Sequence, residues 1–253
     1  MLLIFPSIEI SHENCVEVVQ GLPGAERTYS IDPVKMAVLW RGENAKTLHV
    51  VDVDGFVEGK LVNRELLRRM VQAVDIPIQI GGGLRSFEQI QEALELGVYR
   101  VVIGTAAVEQ PGLVERLVKV FGTRKIAIAI LTRGGKVMIE GGRVEAHISP
   151  LDLAKQMKKL GVSRILYGNW GEQGFDSAPP LGMLRELAST NVRITSMGGV
   201  RDFRDLIQLQ ELEKFGVDSV VIGKPLYENR FPCQGLWRLN EQELSDLSPT
   251  RRM

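Results

Sequence analysis

Two phrases of this chain occur twice. Residues 78–86 read IQIGGGLRS and residues 194–202 read ITSMGGVRD; residues 101–109 read VVIGTAAVE and residues 220–228 read VVIGKPLYE. The unit shared by both halves is an apolar strand, a glycine turn, a helix, a second apolar strand and a second glycine turn. Such a duplication confines the fold to one that two equivalent half-chains build together. It also carries chemistry. A strand that ends in glycine lets backbone N–H groups come close to an oxyanion, and the start of the next helix adds its positive dipole end. One such pair of turns per half predicts two phosphate sites, and so a ligand with a phosphate at each end.

The rest of the chain continues the alternation. Short runs rich in Val, Ile and Leu fall at 2–9, 47–53, 77–81, 100–104, 125–131, 164–168, 192–196 and 218–222. They are nearly continuously apolar, as strands buried on both faces are. Amphipathic stretches lie near 32–43, 63–74, 86–97, 110–121, 150–160, 181–189 and 201–215. Asp32-Pro33, Ser86, Pro111 and Ser149-Pro150 are helix starts, and Gly97, Gly122, Gly161 and Gly216 are helix stops. Eight strands alternating with helices match an α/β fold of the (β/α)8 TIM-barrel type with a twofold internal repeat. The doubly wound sheet is the competing architecture, but the half-chain repeat closes naturally into a ring. The expected organisation is one barrel over 1–253, with half-barrels of about 1–122 and 123–240 and a polar tail at 241–253.

Composition excludes several classes. Thirty-one basic residues balance 31 acidic ones, so bulk charge points to neither nucleic acid nor an anionic membrane. The apolar start MLLIFPSIEI meets Pro6 and Glu9 too early for a signal peptide or a span and lacks a basic lead. Cys15 and Cys233 suit a reducing compartment, although sequence alone leaves one bridge open. The histidines, His12, His49 and His147, are scattered, and no metal site is expected. The expected protein is cytoplasmic, a monomer or small homo-oligomer with a small phosphorylated substrate and no cofactor. Leu236, Trp237 and Phe231 are candidates for an interface or for the last helix's packing face.

In a barrel the site lies at the C-terminal ends of the strands. There the candidate phosphate ligands are Gly82, Gly83, Gly104 and Thr105 in the first half, and Gly198, Gly199, Gly223 and Lys224 in the second; the plainer reading is that the glycines only make tight turns. Arg85 and Arg201 follow the turns and either touch phosphate or face solvent. Glu9, Asp52 and Asp54 end the first two strands and are candidate acids and bases. Against this, Glu9 can pair with a neighbouring cation and Asp52 can simply hold a loop. His49 reads as a hydrogen-bonded packing residue rather than a proton shuttle. Arg133, Asn169 and Trp170 are candidates for positioning substrate, with Trp170 either stacking on a planar ring or capping the barrel.

These phrases, IFPSIEI, LHVVDVDG, PIQIGGGLRS, TRGGKV, SMGGVRD and VVIGKPLYE, resemble the ProFAR isomerase family of histidine biosynthesis along nearly the whole chain. They are less similar to its sister, the cyclase of imidazole glycerol phosphate synthesis. The resemblance implies an Amadori rearrangement of a bisphosphorylated ribotide, in which an acid opens the ribose ring and a base moves the C2 proton. It implies an aspartate ending the first strand and another ending the fifth; here those positions are Glu9 and Leu131. Family residues at the sixth strand are replaced by Gly168-Asn169, and an acidic residue in the loop after it by Gln173. An arginine after the first strand is replaced by Glu17, and a tryptophan after the fifth by Gly142. The binding frame is kept and the proton-transfer set is altered. Asp54 is the first candidate for the replacement acid and Glu172 the second. Two other readings stay open: a paralogue with different chemistry on a phosphorylated sugar or nucleotide, and a non-catalytic barrel that senses a phosphometabolite.

Overall fold

The computed structural model describes residues 2–18, 26–170 and 178–230. Glu172, Gln173, Phe231, Cys233, Leu236, Trp237 and the 241–253 tail lie outside the described residues. The chain runs β1 (Leu3–Ser11), β2 (Asn14–Val18), β3 (Glu26–Ser30), α1 (Pro33–Gly42), β4 (Leu48–Asp52), α2 (Val53–Glu58), α3 (Arg64–Ala73), β5 (Ile78–Gly81), α4 (Phe87–Glu95), β6 (Arg100–Ile103), α5 (Thr105–Glu109) and α6 (Pro111–Phe121). It continues with β7 (Ile126–Arg133), β8 (Lys136–Ile139), β9 (Val144–Glu145), α7 (Pro150–Lys159), β10 (Arg164–Trp170), α8 (Leu181–Ala188), β11 (Arg193–Met197), α9 (Phe203–Gln210), β12 (Val217–Ile222) and α10 (Lys224–Tyr227).

Eight of these strands pair in parallel in the order β1, β4, β5, β6, β7, β10, β11, β12, and β12 returns to β1. The ring is closed, which is the barrel and not the open doubly wound sheet. The helix starts work as their residue types require. Asp32 accepts from Lys35 N, Ser149 accepts from Asp152 N, and Ser86 forms a capping box whose partner is Gln89. Side chains alternate across each strand. Ile4, Ile8, Val50, Ile80, Ile128 and Ile194 join the layer between barrel and helices, whereas Phe5, Val102, Ala127, Leu166 and Val221 pack inside the barrel.

The N-terminal floor of the barrel is polar but satisfied. Arg164 donates to Asp218, Thr195 and Ser219, and Arg100 donates to Gln79, which in turn bonds His49 Nδ1. Burial pulls the His49 pKa from 6.5 down to about 4. The folded value lies below the unfolded one, so the stability it contributes is present above pH 6.5 and is lost as pH falls toward 4. Urea melts are expected to lose about 2 kcal/mol between about pH 7 and about pH 5 on this account, and His49→Asn should flatten that slope. An equal slope in the variant would remove His49 as the cause.

Sequence reading misses two hairpins. β1 turns back into β2 and then β3, and β7 turns back into β8 and β9. They extend the first and fifth barrel strands, one per half. The β7–β8 turn is Gly134-Gly135, an ordinary signal. The β1–β2 turn is His12-Glu13, both with positive φ (50° and 62°), in residue types that give no turn signal.

Candidate functional site

Alternation along the strands decides what faces the mouth. Glu9 shares the side of Phe5 and stands level with Val51 on β4. Leu131 shares the side of Ala127 and Ala129 and stands level with Gly168 on β10. β1 and β7 lie four strands apart in the ring of eight, on opposite walls. The inward positions near the strand ends are therefore Glu9, Val51, Gly81, Leu131, Arg133, Gly168, Trp170 and Met197. Among them Glu9 is the carboxylate, and Leu131 faces it across the barrel.

Asp52 and Asp54 each hold a loop through hydrogen bonds. Asp52 has the outward parity of Leu48 and Val50. Its carboxylate is buried and accepts from Gly55 N (2.9 Å), Val62 N (2.7 Å), Asn63 N (3.0 Å) and Asn63 Nδ2 (2.7 Å). It closes the β4–α2–α3 connection, which is the loop-holding use. Asp54 accepts from Ser11 Oγ (3.0 Å), His12 N (2.8 Å) and Asn63 Nδ2 (2.8 Å). It buttresses the left-handed His12-Glu13 turn. Partial burial pushes its carboxyl up, but those donors outweigh it and hold the pKa below the ordinary value. A carboxyl held ionised in this way is a poor acid at neutral pH. It also faces a cavity of about 760 Å³ beside α2 and α3, lined by His12, Val57, Val62 and Arg143 among others. These contacts give Asp54 a structural use beside the acid role that the sequence suggests for it.

The glycine turns repeat in geometry as well as in sequence. Gly82 and Gly83 have φ of 110° and 68°; Gly198 and Gly199 have 73° and 80°. A Cβ on Gly83 would come within 1.9 Å of Gly55 O, and one on Gly82 within 2.2 Å of Asp52 O. The first turn is thus glycine because it packs onto the loop that Asp52 holds. Gly104 (φ −106°, ψ −94°) and Gly223 (φ −113°, ψ −99°) share an uncommon conformation directly before α5 and α10. Thr105 Oγ1 accepts from Glu140 N at 2.9 Å, which leaves its own proton to donate. Lys224 Nζ lies 3.1 Å from Glu17 Oε1. Arg201 is taken up by a two-point contact with Asp205 that closes its helix start. Arg85 lies against Gly59, with guanidinium atoms 3.3 Å from where a Cβ there would stand.

Trp170 is 5% exposed and caps the barrel. A Cβ on Gly142 would meet its ring at 2.1 Å, so the indole lies directly on that glycine. Arg133 is exposed, with its guanidinium 5.6 Å from the Trp170 ring centre and donating to Gly142 O. Asn169 Oδ1 accepts from Thr132 Oγ1 at 2.9 Å, a contact between strands. The hairpin after β7 therefore rests on Trp170 and reaches Phe56 of α2 and Thr105 of α5. His49, as expected, is a buried hydrogen-bonded residue.

A closed parallel barrel with duplicated glycine turns at its mouth is the geometry that the sequence resemblance implies. A family model described as histidine biosynthesis protein matches residues 3–232. The chain belongs to that family. The histidine-biosynthesis barrels similar to it include the 1-(5-phosphoribosyl)-5-((5-phosphoribosylamino)methylideneamino)imidazole-4-carboxamide isomerase of Salinibacter ruber, 43% identical over 249 residues, or 98% of this chain and 96% of that one. The isomerase of the same name from Chlorobium phaeobacteroides strain BS1 is 45% identical over 242 residues, covering 93% and 91%. That from Chlorobaculum parvum is 43% identical over 244 residues, covering 96% and 94%. Among the described residues no helix is long and apolar enough to cross a membrane.

Proposed function

We propose that this family member is an aldose–ketose isomerase that carries out the Amadori rearrangement of the bisphosphorylated ribotide named for its relatives. The observation that carries the reading is the pair of matching glycine turns, Gly82-Gly83 with Gly104-Thr105 and Gly198-Gly199 with Gly223-Lys224, set on either side of the inward carboxylate of Glu9. The turns hold the two phosphates through backbone N–H groups, and Arg133 stands at the rim to steer the substrate between them.

With Leu131 opposite, Glu9 serves both proton transfers in turn. As the acid it protonates the ring oxygen while the C1–O bond breaks and the nitrogen lone pair forms a C1=N iminium. As the resulting carboxylate it takes the C2 proton, and that electron pair forms the C1=C2 bond and neutralises the nitrogen. The enaminol then takes a proton at C1 from Glu9 and loses its O2 proton back to it, which leaves the aminoketose and Glu9 protonated as at the start. One carboxylate used in series is slower than two used together, and the chain is expected to be a slow isomerase.

The test is incubation of the purified protein with phosphoribosylformimino-aminoimidazole carboxamide ribotide, with the ketose separated chromatographically from its isomer. Ketose formation is expected. No ketose, while the Salinibacter ruber relative converts the ribotide in the same buffer, would overturn the reading and favour the paralogue to which Leu131 also points.

A further inference from the structure

Lys224 opens α10 directly after the Gly223 turn, and on the paired-turn reading its charge is the one offered to a phosphate there. An anion from the chain is already there. Glu17, on β2, places Oε1 3.1 Å from Lys224 Nζ and accepts from Tyr29 Oη through Oε2 at 2.7 Å. Its setting is rigid. Tyr29 stacks on Tyr227 with ring centres 4.4 Å apart and planes 5° apart. Tyr227 closes α10, donates to Ser7 O at 2.9 Å, and meets Trp40 edge-on at 5.3 Å. The Glu17 and Lys224 side chains are 16% and 27% exposed, so solvent screens the pair less than a surface ion pair. At the corresponding place in the first half stands Thr105, which is uncharged and bonded by Glu140 N.

The two turns are alike in backbone and unlike in charge. A phosphate entering the second turn must share Lys224 with Glu17 or displace it. Sharing brings two anions together beside one cation, and displacement also breaks the Tyr29 bond. We propose that Glu17 is a specificity-determining residue that holds the Lys224 charge, so that the mouth grips phosphate firmly at its β5/β6 end and weakly at its β11/β12 end. The inference rests on the paired-turn reading above and adds an asymmetry to it. The ligand class that follows is a sugar phosphate anchored by one phosphate, with the second held loosely.

The test is calorimetric titration with ribose 5-phosphate of the wild type, Glu17→Gln, and Glu17→Gln combined with Lys224→Met. Glutamine keeps an acceptor for Tyr29 and removes only the charge. The wild type is expected to bind one equivalent firmly and a second weakly. Glu17→Gln should tighten the weak site about tenfold or more, and adding Lys224→Met should reverse that gain. If the weak site is unchanged in Glu17→Gln, the inference fails while the paired-turn reading stands. A gain that survives Lys224→Met comes from net charge and also overturns it. If none of the proteins binds ribose 5-phosphate at any site, the paired-turn reading falls and takes the inference with it.

Discussion

Leu131→Asp is expected to raise the isomerisation rate by about two to four powers of ten, the usual worth of a positioned acid or base. The position suits the change. Leu131 points inward, is partly exposed at the mouth, and lies level with Gly168, which has no side chain to clash with a carboxylate. An aspartate there stays in contact with water, so its charge carries little burial cost. It stands on the wall opposite Glu9, and the two carboxyls could then divide ring opening and C2 deprotonation between them. The rise should appear in kcat, with KM little changed, because the glycine turns proposed to hold the substrate are untouched. An unchanged kcat in a protein that melts like the wild type would mean that a missing acid does not limit this barrel.

Asp52→Ala is expected to lower the folding free energy by about 3–5 kcal/mol, because it orphans several buried donors together. The donors are the backbone N–H groups of Gly55, Val62 and Asn63 and the Asn63 amide. The loop they hold is the surface on which Gly82 and Gly83 pack, so the first glycine turn should loosen with it. A carboxylate engaged in this way acts on activity through structure. Denaturant melts of the variant should show the loss, and ribose 5-phosphate should bind more weakly. A variant as stable as the wild type but inactive would return Asp52 to the chemistry.

Much of this was legible in the residues, for identifiable reasons. Runs such as Leu48–Asp52 and Val217–Ile222 are buried on both faces, and an apolar run between glycines reads as a barrel strand with little ambiguity. The duplicated turns are visible because close packing and positive φ leave glycine little alternative at Gly82 and Gly83. The first hairpin was not legible. Glu26–Ser30 is polar, and the His12-Glu13 turn adopts left-handed backbone without glycine or asparagine, supported by Asp54 from another element. Long-range support of that kind leaves no local trace. The placement of the acids was half legible. Glu9, Asp52 and Asp54 look alike as carboxylates near strand ends, yet Asp52 has the parity of Leu48 and Val50, and counting in twos from those residues turns it away from the mouth. The inward parity of Trp170 is legible in the same way, but its burial is not: Gly142, 28 positions earlier in the chain, gives its ring a place to bury.

In the proposed mechanism Glu9 is the carboxylate through which both protons pass. The measurement that tests it most directly is the initial rate of ribotide isomerisation, coupled to the next enzyme of the pathway, for the wild type and Glu9→Gln at saturating substrate. Measurable turnover is expected in the wild type and a fall of about two to four powers of ten in Glu9→Gln, with the ribotide raising the melting temperature of both proteins equally. Turnover in Glu9→Gln equal to the wild type would contradict it, and would place the proton transfers on another group.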